Sequence, residues 1–142
     1  MLRSICIVCW ANICRSPVAE FYIREKLNSN YKVTSAGINP NYIGGMDKRS
    51  FNFLSKKYPD ITNNHVQKKI STSIINENDL ILAMDIIVLM HLNKTFKKHS
   101  DKFKMFNYQF PEINTNDPYR SNDEEYFQIM SNIEFISKNM NI

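Results

Sequence analysis

The chain predicts a three-layer α/β/α sandwich, a parallel sheet covered by helices on both faces, formed as a single domain over residues 1–142. Three observations point there. Short apolar runs rich in β-formers, such as Ser4-Ile5-Cys6-Ile7-Val8-Cys9 and Asp79 to Met84, read as strands buried on both faces. Segments with helical spacing separate them, and strands alternating with helices imply right-handed crossovers and a parallel sheet. The 142-residue length suits one domain with a core of its own.

The elements follow in order. Ser4 to Cys9 is the first strand. Ser16-Pro17 opens a helix, with Ser16 near its cap and Pro17 in the first turn, where a missing N–H costs nothing. Ala19, Ile23 and Leu27 recur every four residues and give that helix its core face. Tyr31 to Ser35 reads as a second strand, ended by Gly37, and a Gly/Pro/Asn-rich loop runs from Asn39 to Gly45. Asp47 caps a helix reaching Tyr58, which Pro59 ends. Asp79 to Met84 is a strand, Asp85 to Leu92 a helix, and Lys102 to Phe106 a shorter strand. Tyr108 to Asn122 is polar and broken by Pro111 and Pro118; loops of that length in a compact domain tend to be functional. The last helix spans about Asp123 to Asn139, with Tyr126, Ile129, Met130, Ile133 and Ile136 along one side.

Composition narrows the function. Apolar residues make up 43% and charged residues 23%, as in an ordinary soluble globule. No run of about 18 apolar residues is available to span a membrane. The stretch from Met1 to Cys9 lacks the small-residue cleavage site of a secretory signal and is read as structure. Three clustered cysteines, Cys6, Cys9 and Cys14, do not make a disulfide framework; they fit a reducing, cytoplasmic compartment and a working thiol. No paired Cys/His spacing calls for a metal, and no cofactor is expected. The net charge of +4 is spread over isolated lysine pairs, a pattern of solvated faces rather than a nucleic-acid stripe.

The chemistry concentrates in Val8 to Pro17, where Cys9 and Arg15 stand six apart between a strand end and a helix start. The five residues between them, Trp10, Ala11, Asn12, Ile13 and Cys14, can curl so that their N–H groups face a tetrahedral anion. The helix start adds free N–H groups and a positive dipole end. Arg15 adds a planar fork for two phosphoryl oxygens, which a lysine could not supply. That positive field favours the thiolate of Cys9, and Ser16 can donate its hydroxyl to the sulfur. Transfer of a phosphoryl group also needs a proton for the leaving oxygen, and Asp117, in the long loop before Pro118, is the best-placed acid. The residues alone also allow Asp117 to be only the start of a turn. Likewise His65 alone reads as a solvated loop histidine, and Ser35 as a strand-end residue bonding its own backbone.

Val8 to Pro17, together with Ser35-Ala36-Gly37, His65, Met84-Asp85 and Asp117-Pro118-Tyr119, resembles the low-molecular-weight protein tyrosine phosphatase family over nearly the whole chain. The resemblance implies a four-stranded parallel sheet with its phosphate-binding loop between the first strand and first helix. It implies hydrolysis of phosphotyrosine through a phosphocysteine, with Cys9 as nucleophile, Arg15 as clamp and Asp117 as acid and then base. Asn12 would hold the loop in shape with help from Ser35 and His65. Tyr119, Trp10 and Tyr42 would line the ring slot, although Trp10 could equally be a surface aromatic. Cys14 would be either a redox partner of Cys9 or a filler of the loop core, and Cys6 belongs to the core. Ala11 replaces the family's usual Gly; if that position had positive φ, the replacement would cost about 1 kcal/mol. The loop from Ile38 to Gly45 is shorter than usual, and Arg120 stands where many members carry a second Tyr. A tyrosine-phosphorylated protein, such as a bacterial tyrosine kinase, is the implied partner, and a monomer the implied state. An arsenate reductase on the same scaffold would need further thiols to relay a disulfide, and no cysteine follows Cys14. A non-catalytic phosphopeptide-binding module would have no need to keep Cys9, Arg15 and Asp117 together.

Overall fold

The computed structural model describes residues 2–42 and 44–142; Met1, and Ile43 within the loop predicted from Asn39 to Gly45, lie outside the described residues. Four strands, β1 (Ser4–Cys9), β2 (Lys32–Gly37), β3 (Leu80–Ala83) and β4 (Phe103–Met105), form one sheet in the order β2-β1-β3-β4. Every pairing is parallel, with Cys9 opposite Gly37 and Val8 opposite Ala83. The helices are α1 (Ser16–Lys26), α2 (Lys48–Ser55), α3 (Thr72–Glu77), α4 (Ile86–Thr95) and α5 (Asp123–Asn139).

The pleat of β1 explains the three layers. Ile5, Ile7 and Cys9 face one core, with Val18, Ala19, Tyr22 and Ile23 of α1 and Tyr126, Met130, Ile133 and Ile136 of α5. Cys6 and Val8 face the other, with Ile75 of α3 and Val88 and Leu92 of α4. Because side chains alternate across a strand, an unbroken apolar run supplies both faces at once. Each buried Val, Leu or Ile contributes roughly 1.5–3 kcal/mol relative to exposure.

Several element ends differ from the sequence reading. Strand β2 runs to Gly37 rather than stopping at Ser35, because its pairing with β1 continues through Ala36 and Gly37. Helix α2 stops at Ser55, and its last turn tightens through Lys57 and Tyr58, whose N–H groups both return to the Leu54 carbonyl. Leu27 is the C-cap of α1 and still packs, half-buried, against the core that holds Ala19 and Ile23. Helix α4 extends to Thr95, with Asp85 as its N-cap accepting the Val88 N–H at 2.8 Å. Two elements went unpredicted: α3, capped by Ser71 through the Ile74 N–H, and a 3₁₀ turn at Lys97–Lys102 before β4. Both are six residues long, too short for periodicity to show.

Candidate active site

Strand β1 delivers Cys9 to the carboxyl edge of the sheet, where the chain turns through residues 10–15 into α1. Cys9 is 2% exposed, and its Sγ accepts the Asn12 N–H at 3.2 Å. The Ser16 hydroxyl stands 2.9 Å from the same sulfur. Because Ser16 Oγ already accepts a bond from Asn12 Nδ2 at 2.8 Å, its own proton is free to point at Cys9, an arrangement that favours a negative sulfur. Ser16 is the first residue of α1, near the cap as predicted. Arg15 occupies the cap position with no side-chain capping bond, and the Ser16 hydroxyl is taken by Cys9 Sγ.

Asn12 organises the loop from beneath. It is fully buried and has φ 60, whereas Ala11 is not among the positive-φ residues, so the strain anticipated for Ala11 does not arise. Asn is among the residues that tolerate the left-handed region best. Its Nδ2 also donates to Ser35 Oγ at 2.9 Å, and its Oδ1 accepts the Lys68 N–H at 3.0 Å. His65 Nε2 lies 2.7 Å from the Asn12 carbonyl, so His65 is attached to the loop rather than solvated. Ser35 donates onward to Glu20 Oε1 at 2.5 Å, rather than to its own backbone. Glu20 was not foreseen, and no local pattern marks it. Gly37 lets β2 approach this close: a Cβ there would lie 2.8 Å from the Ala11 carbonyl carbon and 2.9 Å from the Asn12 nitrogen.

Arg15 is 1% exposed. Its Nη1 donates to Asp85 Oδ2 at 2.7 Å and to the Thr115 carbonyl at 2.8 Å. Thr115 in turn donates its hydroxyl to the Met84 carbonyl at 2.8 Å. A buried ion pair is costly to desolvate, and what this one provides is a fixed guanidinium plane. Asp85 and Thr115 are the second omission of the sequence reading. Asp85 was marked only within the Met84-Asp85 pair, with no role given, and Thr115 not at all. Arg15 Nη2 stands 4.0 Å from Asp117 Oδ2, and Asp117 Oδ1 accepts the Tyr119 N–H at 3.0 Å.

These residues surround a cavity of ≈ 260 Å³ lined by Cys9, Trp10, Ala11, Ile13, Cys14, Arg15, Asp117 and Tyr119, with Asn39 and Asn41 added from the loop after β2. The structure thus brings Asp117 and Tyr119 to the cysteine loop across more than a hundred residues of sequence. Trp10 is 37% exposed and makes an edge contact with the His91 ring at 5.8 Å between centroids, while Tyr119 is 53% exposed. Tyr42 does not line the cavity; it is exposed, has φ 58, and its N–H is held by Gln67. Cys14 lines the wall with its thiol pushed up to about 12 by burial, and no disulfide joins Cys6, Cys9 or Cys14. Among the described residues no cluster of His, Cys, Asp and Glu could hold a metal ion.

A thiol fixed under N–H and hydroxyl donors, beside a buried guanidinium and a carboxyl, is equipped to receive a phosphoryl group. The sequence model for the low molecular weight phosphotyrosine protein phosphatases matches residues 4–141. The chain belongs to that family. The Wzb phosphatase of Escherichia coli strain K12, a low molecular weight protein-tyrosine-phosphatase, is 28% identical over 94% of this chain and 90% of its own length. The crystal structure of Wzb from Escherichia coli K30 with sulphate is 27% identical, covers 97% of this chain and 95% of its own, and has a TM-score of 0.87. A mutant of the YwlE arginine phosphatase with a phosphorylated active-site serine is also 27% identical, over 95% of this chain and 91% of its own, with a TM-score of 0.83. As a member of this family the chain is a phosphoric monoester hydrolase with the family's four-stranded parallel sheet.

Proposed function

We propose that this phosphatase hydrolyses phosphotyrosine in proteins through a phosphocysteine on Cys9, as a single domain acting alone. The observation that carries the reading is the placement of Cys9 Sγ between the Asn12 N–H and the Ser16 hydroxyl, in a cavity that also holds Arg15 and Asp117. The sulfur's electron pair forms the S–P bond while the P–O bond to the phenol breaks. Asp117, as the acid, gives that oxygen its proton. In the second step the carboxylate of Asp117 takes a proton from water, the water oxygen joins phosphorus, and sulfur leaves with the S–P electron pair. Inorganic phosphate departs. Throughout, Arg15 presents its Nε and Nη2 hydrogens to the phosphoryl oxygens while Nη1 stays on Asp85 and Thr115. Trp10, Ala11, Ile13 and Cys14 contribute loop N–H groups, and Asn12, Ser16, Ser35 and His65 keep the loop in shape.

The aromatic rims at Trp10 and Tyr119 favour a phenol-bearing substrate, and a phosphotyrosine side chain is long enough to reach Cys9 where phosphoserine falls short. The partner is accordingly a tyrosine-phosphorylated protein, with a bacterial tyrosine kinase as the candidate. No helix among the described residues is long and apolar enough to cross a membrane, and the three free cysteines fit a reducing cytoplasm. The test compares rates on phosphotyrosine, phosphoserine, phosphoarginine and arsenate. Phosphotyrosine should be the fastest substrate, with vanadate inhibiting. A faster rate on phosphoarginine or thiol-dependent arsenate reduction would replace this reading. A folded protein that binds phosphate without turnover would make it a binding module.

A further inference from the structure

The first turn of α2 touches both halves of the site. The Asp47 N–H donates to the Ile13 carbonyl at 2.8 Å, and the Ser50 hydroxyl donates to the Cys14 carbonyl at 2.8 Å. This turn is therefore pinned to the phosphate loop. Between those two residues, Arg49 reaches the opposite way. Its Nη2 donates to the Tyr119 carbonyl at 3.0 Å and its Nη1 to the Ser121 carbonyl at 3.3 Å. The guanidinium lies 4.0 Å from the centroid of the Tyr126 ring, and Nε stands 3.4 Å from Asp47 Oδ1. Arg49 is thus held in place by its own neighbours, with a side chain 26% exposed. Tyr119, whose carbonyl Arg49 holds, is the same residue whose N–H donates to Asp117 Oδ1.

We propose that Arg49 is a positioning residue for the general acid: through the Tyr119 and Ser121 carbonyls it sets Asp117 at a fixed height over the phosphate loop. The proposal rests on the reading of Asp117 as the acid. Among the described residues, the two carbonyl bonds to Arg49 are the hydrogen bonds that tie the main chain of residues 117–121 to a distant element. The Asp117 side chain itself is 49% exposed, and among the described residues its polar partners are the Tyr119 N–H and, at 4.0 Å, Arg15 Nη2. A general acid works only within hydrogen-bond reach of the oxygen it protonates. A displacement of about 1 Å can cost on the order of 10²-fold. A guanidinium can serve two carbonyls and stack on a ring at once; an ammonium cannot.

Leaving-group dependence separates this role from simple structural support. Phenol is a poor leaving group and needs its proton, whereas dinitrophenol leaves readily without one. Arg49→Gln should lower kcat/KM on phenyl phosphate by about 10- to 100-fold, with a loss of less than about threefold on dinitrophenyl phosphate. Inhibition by inorganic phosphate should stay within about twofold, because Cys9, Arg15 and the loop are untouched. Arg49→Lys should fall between parent and Gln, and it carries the comparison if the Gln variant does not fold. In an Asp117→Asn background, Arg49→Gln should add less than about a twofold loss on phenyl phosphate. Equal losses on both substrates, an unchanged rate on phenyl phosphate, or full additivity with Asp117→Asn would overturn the proposal. If Asp117→Asn itself shows no leaving-group dependence, the acid assignment falls first and Arg49 with it.

Discussion

Four residues set the surroundings of the Cys9 sulfur. Asn12 gives its N–H to the sulfur and its amide to Ser16; Ser16 passes a hydroxyl proton towards the sulfur; Ser35 and His65 keep Asn12 turned inward. The Asp117 side chain is half exposed, unlike buried Cys9 and Arg15. Asp117→Asn removes the proton donor and keeps the shape, so kcat/KM on phosphotyrosine should fall by roughly 10²–10⁴-fold. A stopped-flow rate within a factor of two of the parent would assign the acid elsewhere. Cys14 presents a different contrast. Burial holds its thiol protonated far above neutral pH, so it should trap an oxidised Cys9 slowly. Mild peroxide should then cause an inactivation that thiols reverse about equally in the parent and in Cys14→Ser, with Cys14 as core filler. Markedly poorer recovery in Cys14→Ser would instead make Cys14 the redox partner of Cys9. At this scale the sequence showed the reacting residues but not their supports. Cys9, Arg15 and Ser16 sit in one short segment, while Glu20, Asp85 and Thr115 act only after the chain has folded back. Asn12 was legible as a loop residue but its positive φ was not, because Ser35 and Lys68, which hold its side chain, lie far along the chain.

The elements convert sheet register into site geometry. Strand β1 ends at Cys9, where the chain turns into residues 10–15, and β2 ends beside it at Gly37. The Ile38 N–H donates to the Cys9 carbonyl and the Asn39 N–H to the Trp10 carbonyl, so the loop after β2 continues the pairing into the site. Gly37→Ala would drive a Cβ to 2.8 Å from the Ala11 carbonyl carbon, a backbone atom that cannot swing aside. The variant should lose on the order of 1–3 kcal/mol of stability in denaturant titration, as overpacked sites do. Phosphate affinity should weaken with it, since the atoms displaced belong to the anion-binding loop; unchanged affinity would separate Gly37 from that loop. Strong patterns made β1, α1 and α5 legible: an unbroken apolar run, a Ser-Pro start, and a long apolar stripe from Tyr126 to Ile136. Helix α3 and the 3₁₀ turn had no such length, and the end of β2 was set by pairing with β1 rather than by its own residues.

Across the whole molecule, two cores on either side of the sheet hold thiols and phenols in their neutral forms. Burial pushes the Cys6 and Cys14 thiols up to about 12 from 9.0, and it raises the Tyr22 and Tyr126 hydroxyls too. Above about pH 9 the unfolded chain releases thiol protons that the folded chain keeps until about 12. The unfolded state then binds fewer protons, so stability falls as pH rises through that window and is fully present below it. The melting temperature should decline between those pH values, and less steeply in Cys6→Ala or Cys14→Ala. A flat alkaline limb in the parent would mean that these thiols ionise in place. The parallel sheet and its helical layers were legible at this scale because both follow from strand–helix alternation. Asp117 was legible as the best-placed acid, but only the resemblance to a family told it from a simple turn start, since its meeting with Cys9 depends on how a long loop folds.

A rapid acid quench during turnover of a phosphotyrosyl peptide, followed by mass spectrometry of the digested enzyme, reads the covalent step itself. Phosphate should be found on the peptide carrying Cys9, and turnover should be lost in Cys9→Ser. Steady hydrolysis with phosphate on another residue, or continuing in Cys9→Ser, would contradict the mechanism.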